Sequence, residues 1–256
     1  MKHDDDSSRT QSERVTSAEM HPGPGFRIRS EIDRPPREVV AAMAAIPTAM
    51  ISDRLNRLYT MSTAIGPLTP PQLSFAGPAL TVKVFPGDNL MVHKALDLLA
   101  PGDVIVIDAS ASMMTAVIGD MVCTKARHRE AAAIVVDGLV RDLDGIVELG
   151  DLPVFGRGTT PIGPLHRGPG EINYPVSCGG IVVSPGDLIV GDADGVVVVP
   201  HDLATAVLEW AEQDAEADAR YAAAVRRGDF SNAWVDHALE QAGLHLPRPG
   251  PPPNPV

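Results

Sequence analysis

GDMVCTKARHREAAAIVVDGLVRD, residues 119–142, is the stretch that decides the fold of this chain. Behind its Gly-Asp step, Met121–Arg129 is predicted to form a helix, and the apolar run Ala131–Val136 is typical of a buried strand. Residues at the exit of such a strand are where α/β sheets place their ligands. We therefore expect Asp120 and the pair Arg141-Asp142 to reach a single mouth of the sheet.

Helices and strands alternate on both sides of this stretch. Further helices are predicted at Pro36–Ala45, Thr48–Leu58, Leu90–Leu99 and Asp202–Arg227. Further strands are predicted at Ala79–Phe85, Val104–Asp108, Leu188–Asp192 and Val196–Val199. Two of these strands follow similar turns, Pro101-Gly102-Asp103 and Pro185-Gly186-Asp187. Alternation in the first half and a majority of strands in the second predict an α/β layered domain.

Proline and charge mark the two ends of the folded body. Residues 1–36 are polar and punctuated by proline and glycine, which predicts a flexible N-terminal extension. The α/β domain is predicted at residues 37–228, and residues 229–256 are predicted to be a C-terminal extension with a proline-rich tail. The polar N-terminus has no apolar segment of the kind that a secretory signal needs, so no signal peptide is expected.

The composition argues against several classes of partner. The 256 residues carry a formal net charge of −12, which disfavours binding to nucleic acid or to an anionic membrane. No apolar run approaches the length of a membrane span. Cys123 and Cys178 are too few for a disulfide framework, so a cytoplasmic location is expected. An acidic protein that binds an anionic substrate must create a local positive site.

The Gly119-Asp120 step is the first candidate binding element. Gly119 permits a tight turn, and Asp120 is a favourable N-cap for the helix that follows. The free backbone N–H groups of Met121 and Val122 would then point out of the helix start, where the helix dipole favours a substrate carboxylate. The alternative is that Asp120 only caps the helix.

Arg141 and Asp142 form the second candidate element. The strand before them is predicted to end at Val136, with Asp137-Gly138 as a turn. Arg141 can hold a carboxylate through two hydrogen bonds, and Asp142 can coordinate a metal ion. Together with Asp120 they suit a hard divalent cation that holds a carboxylate substrate. The alternative is an exposed Arg-Asp pair of little energetic value.

Other polar groups give weaker signals. His93, His166 and His201 lack zinc-ligand spacing, so we expect them on the surface or behind a site. The turn Pro86–Asn89 precedes a helix and either lends backbone donors to the same pocket or is a plain structural turn. The sequence contains no nucleophile elbow and no nucleotide-binding glycine loop.

A series of short motifs runs through the body of the chain. They are PTAMISDRL (47–55), AGPALTV (76–82), PGDN (86–89), APGDVIVIDA (100–109), GD (119–120), VVDGLVRD (135–142), PVFGRG (153–158) and RGPGEINYPVSCGGIVVSPGDLIVGDADGVVVVP (167–200). In this order and spacing they resemble the regulator of ribonuclease activity A-like family. That family includes the 4-hydroxy-4-methyl-2-oxoglutarate/4-carboxy-4-hydroxy-2-oxoadipate aldolases. The similarity runs from Pro47 to Arg227.

The resemblance implies a fold and an assembly. The fold is a layered α-β-β-α sandwich, similar to a swivelling β/β/α domain, with a long C-terminal helix. The assembly is a homotrimer or homohexamer with sites between subunits. A glutamate from the neighbouring subunit's C-terminal helix approaches each site in this family, and Glu216 matches it best, with Asp218 next.

The resemblance also implies roles for the candidate site residues. The acid matching Asp142 ligates Mg²⁺ or Mn²⁺, and the acid matching Asp120 holds a metal-bound water. The arginine matching Arg141 binds the substrate carboxylate. Backbone N–H groups that match Met121 and Val122, behind Gly119, hold the same anion.

The activity that the resemblance implies is carbon–carbon bond cleavage. A 4-hydroxy-2-oxo diacid is split to give pyruvate by a retro-aldol reaction, or oxaloacetate is decarboxylated. Catalytic members carry an acid three places after the metal-binding aspartate, where this chain has Gly145, with Asp144 one residue earlier. The family name supplies the alternative, a non-catalytic regulator that docks on another protein.

Overall fold

The largest sheet of the described residues is built on parallel strands. The computed structural model describes residues 25–70 and 73–244, except for the side chains of residues 214–216. The strands are β1 (Phe26–Ile28), β2 (Gly66–Pro67), β3 (Phe75–Val84), β4 (Val104–Ile118), β5 (Ala133–Val140), β6 (Val154–Gly156), β7 (Gly170–Ile172), β8 (Val176–Cys178), β9 (Ile181–Val183), β10 (Leu188–Asp192) and β11 (Gly195–Val199). Strands β3, β4, β5 and β6 are parallel neighbours in that order. Valine and isoleucine dominate them because both faces of the sheet are covered.

Short helices connect the parallel strands. The helices are α1 (Arg37–Met43), α2 (Thr48–Arg54), α3 (Leu90–Ala95), α4 (Asp120–His128), α5 (Leu143–Glu148), α6 (Ala204–Arg226) and α7 (Ala233–Gln241), with a 3-10 turn at His201–Leu203. In chain order, α3 joins β3 to β4, α4 joins β4 to β5, and α5 joins β5 to β6. This is the βαβ arrangement that the alternating pattern of residues 119–142 predicts.

Three apolar cores separate four layers. The first core, around Ile105, lies between the central sheet and helices α3, α4 and α5. The second, around Val106, lies on the opposite face of the sheet, against β8–β11. The third, around Met43, lies between β10–β11 and helices α1, α2 and the start of α6. The layers are therefore α-β-β-α, which confirms the predicted fold class.

Strand β4 is much longer than predicted. It continues past Asp108 to Ile118, and its register with β5 shifts along the way. Ser110 and Ala111 have positive φ angles of 55° and 54°. The regular strand conformation is therefore interrupted at these two residues. The strand is buried again at Ala116–Ile118, so the backbone directly before Gly119 is held in the core.

The predicted turn at Asp137-Gly138 is wrong. Both residues lie inside β5, which is buried along its whole length. The Asp137 carboxylate is paired there with the Arg157 Nε–H and accepts the Gly179 N–H at 2.9 Å. Because these donors compensate its charge, an acidic residue can occupy a buried strand.

Two predicted helices are also shorter than expected. The helix predicted at Thr48–Leu58 ends at Arg54, because Asn56 and Arg57 adopt positive φ angles of 52° and 64°. The helix predicted at Leu90–Leu99 ends at Ala95 and continues as turns.

The two proline–glycine–aspartate turns have the same construction, as predicted. Gly102 and Gly186 have φ angles of +91° and +86°. In each turn the aspartate carboxylate accepts a hydrogen bond from the backbone N–H three residues earlier. The Ala100 N–H donates to Asp103 at 3.0 Å, and the Ser184 N–H donates to Asp187 at 2.7 Å. The turns thus fix the starts of β4 and β10 in the same way.

The chain divides into two compact units, with the boundary between Glu209 and Trp210. The sheets belong to the first unit, and α7 belongs to the second. The predicted domain limits of 37–228 stay a prediction, and the predicted proline-rich tail lies outside the described residues. Within residues 25–70 and 73–244, no helix combines the length and apolar character needed to cross a membrane.

Candidate functional site

One cleft brings together the two candidate elements of the sequence, Gly119–Val122 and Arg141-Asp142. It has a volume of about 210 Å³ and lies where β4 and β5 end and α4 begins. Its lining consists of Asn89, His93, Ile118, Gly119, Asp120, Met121, Val122, Arg141, Asp142, Pro164 and His166. Two carboxylates and one guanidinium therefore share a single cleft.

Helix α4 starts one residue earlier than predicted. Gly119 is the N-cap residue, with an extended φ of −145°, and Asp120 is the first residue of the helix. The prediction that Asp120 is the N-cap is wrong. Its carboxylate instead accepts the N–H of the next residue, Met121, at a distance of 2.6 Å.

The sequence predicts free backbone N–H groups at Met121 and Val122, but in the structure both groups donate hydrogen bonds within the protein. The Met121 N–H donates to Asp120 Oδ1, and the Val122 N–H donates to the Gly119 carbonyl at 3.1 Å. A substrate carboxylate would have to replace the Asp120 oxygen to bind the Met121 amide. Arg141 is therefore the main group of the cleft that could hold an anion.

Arg141 and Asp142 follow directly on β5. The Arg141 N–H donates to the Ile118 carbonyl at 3.0 Å, which ties the exit of β5 to the end of β4. Asp142 is the N-cap of α5 and has a left-handed conformation, with φ 56° and ψ 44°. Arg141 Nε lies 3.2 Å from Asp142 Oδ2, and each side chain is 44% exposed. Both charged groups are thus oriented by backbone but open to the cleft.

Two glycines make room for the guanidinium. A Cβ atom on Gly163 would lie 2.3 Å from Arg141 Nη1. A Cβ atom on Gly119 would lie 3.1 Å from Arg141 Cγ. The side chain of Arg141 therefore passes close to both backbone segments, and a larger residue at Gly163 would force the guanidinium to shift.

Gly145 packs behind Asp120. A Cβ atom on Gly145 would lie 3.0 Å from the Asp120 Cβ and 3.1 Å from its Oδ2. The position where catalytic relatives are expected to carry an acid therefore touches the carboxylate of Asp120. Asp144, one residue earlier, is exposed and does not line the cleft.

Three residues of the cleft were not predicted as site residues. Asn89, His93 and His166 also line the cleft, and the rings of His93 and His166 meet edge to face at 5.8 Å. Burial, followed by the charges of Lys125 and His166, lowers the pKa of His93. The backbone of the turn Pro86–Asn89 is engaged within the protein, so it is a structural turn that contributes only the Asn89 side chain to the cleft.

The donor set of the cleft suits a partly hydrated hard cation. Asp120 and Asp142 offer carboxylate oxygens, which Mg²⁺ and Mn²⁺ prefer. Within the part of the chain that the structure describes, no group of three or more His, Cys, Asp or Glu residues could hold a metal. Mg²⁺ commonly keeps several waters and uses only one or two carboxylates, so two are sufficient. The residues present are compatible with the implied metal.

The predicted contribution from the C-terminal helix stays untested. Glu216 lies in α6, but its side chain is outside the described residues. Asp218, the second match, is exposed.

The family model described as RraA-like, Aldolase/RraA, matches residues 48–198. A protein of Halalkalibacterium halodurans, provisionally named 4-hydroxy-4-methyl-2-oxoglutarate aldolase, is 44% identical over 69% of this chain and 83% of that protein. The crystal structure of Streptomyces coelicolor RraAS2, an unusual member of the RNase ES inhibitor RraA family, is 30% identical with a TM-score of 0.69. It covers 75% of this chain and 98% of that one.

An uncharacterised protein from Pseudomonas syringae has the same fold. Its crystal structure gives a TM-score of 0.69 at 28% identity. The match covers 83% of this chain and 100% of the Pseudomonas syringae chain. The matched residues 48–198 include Asp120, Arg141 and Asp142. The chain therefore belongs to the RraA-like family.

Proposed function

We propose that this protein is a divalent-metal-dependent carbon–carbon lyase. Its reactions would be retro-aldol cleavage of a 4-hydroxy-2-oxo diacid to pyruvate, decarboxylation of oxaloacetate, or both. The observation that carries the proposal is the convergence of Asp120, Arg141 and Asp142 in one cleft. A plain surface pair or a simple helix cap would not require all three to face the same space.

Arg141 supplies the positive charge that an acidic protein needs to bind a dianion. The chain carries a formal net charge of −12, so a small diacid is repelled by most of its surface. The guanidinium is held between Gly119 and Gly163 and is open to the cleft. In this position it can bind the 2-oxo carboxylate through two hydrogen bonds.

The carboxylates divide the remaining tasks. Asp142, and Asp120 beside it, would hold Mg²⁺ or Mn²⁺, which when bound supplies electrostatic stabilisation for negative charge on the 2-oxo oxygen. Asp120 orders a water that takes the proton of the 4-hydroxyl group. The C3–C4 bond then breaks, and its electron pair forms the pyruvate enolate, whose charge Arg141 helps to stabilise. Loss of CO₂ from oxaloacetate leaves the same enolate.

The names of the relatives support this reaction class. The Halalkalibacterium halodurans protein is provisionally named for the aldolase reaction and is 44% identical to this chain over 176 residues. Family membership alone does not require catalysis, because another relative is named for RNase inhibition.

The proposal is tested with a coupled pyruvate assay. Purified full-length protein is incubated with oxaloacetate and a panel of 4-hydroxy-2-oxo diacids, in Mg²⁺, in Mn²⁺ and in excess chelator. We expect pyruvate above the metal-only background, abolished by the chelator. A rate equal to the background with every substrate would rule out the proposed activity.

We further propose that the chain forms a homotrimer or homohexamer. Large apolar side chains are exposed on the middle of β4, in the loop that hydrogen-bonds to it and at the start of α4. They are Met113, Met114, Met121, Ile162 and Leu165. Exposed apolar groups near a site favour an interface. Light scattering coupled to size exclusion would give the subunit number, and a monomer would exclude this assembly.

The second candidate function is protein binding without catalysis. It is favoured by the similarity to RraAS2, a member of a family named for RNase inhibition. A docking protein, however, has no need of a guanidinium and two carboxylates in one cleft. Adding the protein to an RNase E-type cleavage assay, beside the pyruvate assay, separates the two functions.

A further inference from the structure

His166 is held in a defined orientation by Asn89. The Asn89 side chain is buried, and its Nδ2 donates to the Val117 carbonyl at 2.9 Å. Its Oδ1 is therefore the atom that faces His166 Nδ1, at 2.6 Å. Because an amide oxygen only accepts, His166 Nδ1 must carry the proton. The neutral ring then has its lone pair on Nε2, and the charged ring has a second N–H there.

The segment that carries His166 is fixed on both sides. Asp88 accepts the N–H groups of Arg167 and Gly168 at 2.5 Å and 2.8 Å. Leu165 exchanges two backbone hydrogen bonds with the turn before α3, at 2.8 Å and 3.0 Å. A ring that is anchored through Nδ1 on a fixed segment presents Nε2 in a constant place.

The two histidines of the cleft differ in their surroundings. His93 is half-buried, and its pKa is lowered by burial and by Lys125 and His166, so it is disposed to be neutral. His166 is exposed, so solvent can replace a proton that the ring gives away. His166 is therefore the histidine of the cleft whose ring is anchored through Nδ1 and can also exchange protons with solvent.

We infer that His166 is a catalytic acid that delivers a proton from Nε2 to C3 of the pyruvate enolate. This role rests on the proposed lyase function. The 4-hydroxyl proton leaves through the water at Asp120, and the C3–C4 electron pair becomes the enolate. C3 then takes the Nε2 proton, the ring becomes neutral, and solvent restores its proton. One proton leaves and one enters, so the cleavage needs no other reactant.

The test compares His166→Gln with the matched control His128→Gln in the full chain. His128 is exposed near the end of α4 and does not line the cleft. In the His166 variant we expect kcat for pyruvate formation to fall by about 100-fold, with KM changed little, as is usual for loss of a general acid. Exchange of the pyruvate methyl protons with deuterated water, followed by proton NMR, should be lost in parallel.

Each outcome decides a different point. If the unmodified protein forms no pyruvate and exchanges no methyl protons, the lyase proposal itself fails, and the role of His166 with it. If that protein is active and His166→Gln is equally active, only the His166 role is rejected. A rise in KM alone would make His166 a substrate-binding residue and also reject the role. Nitrogen-15 NMR gives a check without activity, because a neutral ring protonated on Nε2 would contradict the geometry.

Discussion

Gly119 and Asp142 lie so close together that a Cβ atom on Gly119 would come within 2.5 Å of Asp142 Oδ2. The φ angle of Gly119 is extended, so its conformation alone does not require glycine. A Cβ atom here would force the Asp142 carboxylate to shift, because the side chains that leave β5 pass close to the backbone at the end of β4. The two strand ends are therefore matched to each other, and a change in one moves the charged groups of the other.

Gly119→Ala is expected to displace Asp142 and Arg141 without unfolding the protein. A shift of about 1 Å at a catalytic group can cost about 100-fold in rate, so we expect a loss of pyruvate formation of that order. Binding of Mn²⁺, measured by calorimetry, should weaken in parallel. Gly66→Ala is the control, because nothing lies within 4 Å of a Cβ atom there. Full activity of Gly119→Ala would show that the crowding is relieved without moving the site.

Asp142→Asn is expected to abolish lyase activity and metal binding while the fold is kept. Asparagine tolerates the positive φ of 56° at this position better than alanine, so the variant tests the charge and not the backbone. Removal of one well-placed electrostatic group costs about 100-fold or more. The control is Asp144→Asn, which alters an exposed acid outside the cleft. Loss of Mn²⁺ affinity in the control alone would move the metal site to Asp144.

Asp137→Ala is expected to destabilise the fold strongly. It removes one partner of a buried pair and leaves the Arg157 guanidinium, with 18% of its side chain exposed, without its carboxylate. Such changes cost about 3 kcal/mol of unfolding free energy, which urea denaturation would measure. The control is Asp151→Ala, which breaks an exposed Arg-Asp pair with Arg127 and should change stability little. Equal losses in the two variants would contradict the role of burial.

The sequence predicts the layers well because apolar periodicity reports burial directly. It predicts the residues of the cleft through the order of a strand, a loop and a helix around Asp120 and Arg141. It fails at Asp137, because the partners that make a buried acid tolerable, Arg157 and Gly179, lie far along the chain. His166 is missed for the same reason. Its orientation depends on Asn89, and nothing in the local sequence connects the two.

Both cysteines are expected to be unreactive in the native protein. Burial, followed by the charge of Asp120, raises the pKa of Cys123 to about 12. Burial, with Asp137 and Asp108, raises the pKa of Cys178 well above its usual range. Titration with an aromatic disulfide reagent at pH 8 should detect no thiol in the native protein and 2 after denaturation, the cysteine count of the chain. A fast-reacting thiol in the native state would contradict the buried environment.

The cytoplasmic location stays a prediction.

Acid should destabilise the protein partly through His93. Burial and the charges of Lys125 and His166 place its folded-state pKa below the unfolded value of about 6.5. Between the two values the unfolded chain binds more protons, so stability is fully present above pH ~6.5 and falls as the pH drops through this window.

His93→Gln should therefore lose less unfolding free energy than the unmodified protein between pH 7.5 and pH 5, measured by urea denaturation at both values. The exposed His128→Gln serves as the control and should keep the original pH dependence. Asp88, whose pKa is lowered because backbone N–H groups outweigh the effect of its burial, acts in a more acidic window, below the unfolded value of about 3.9. An unchanged slope in His93→Gln would mean that the pKa of His93 is the same in the folded and unfolded states, which would contradict its lowering by burial.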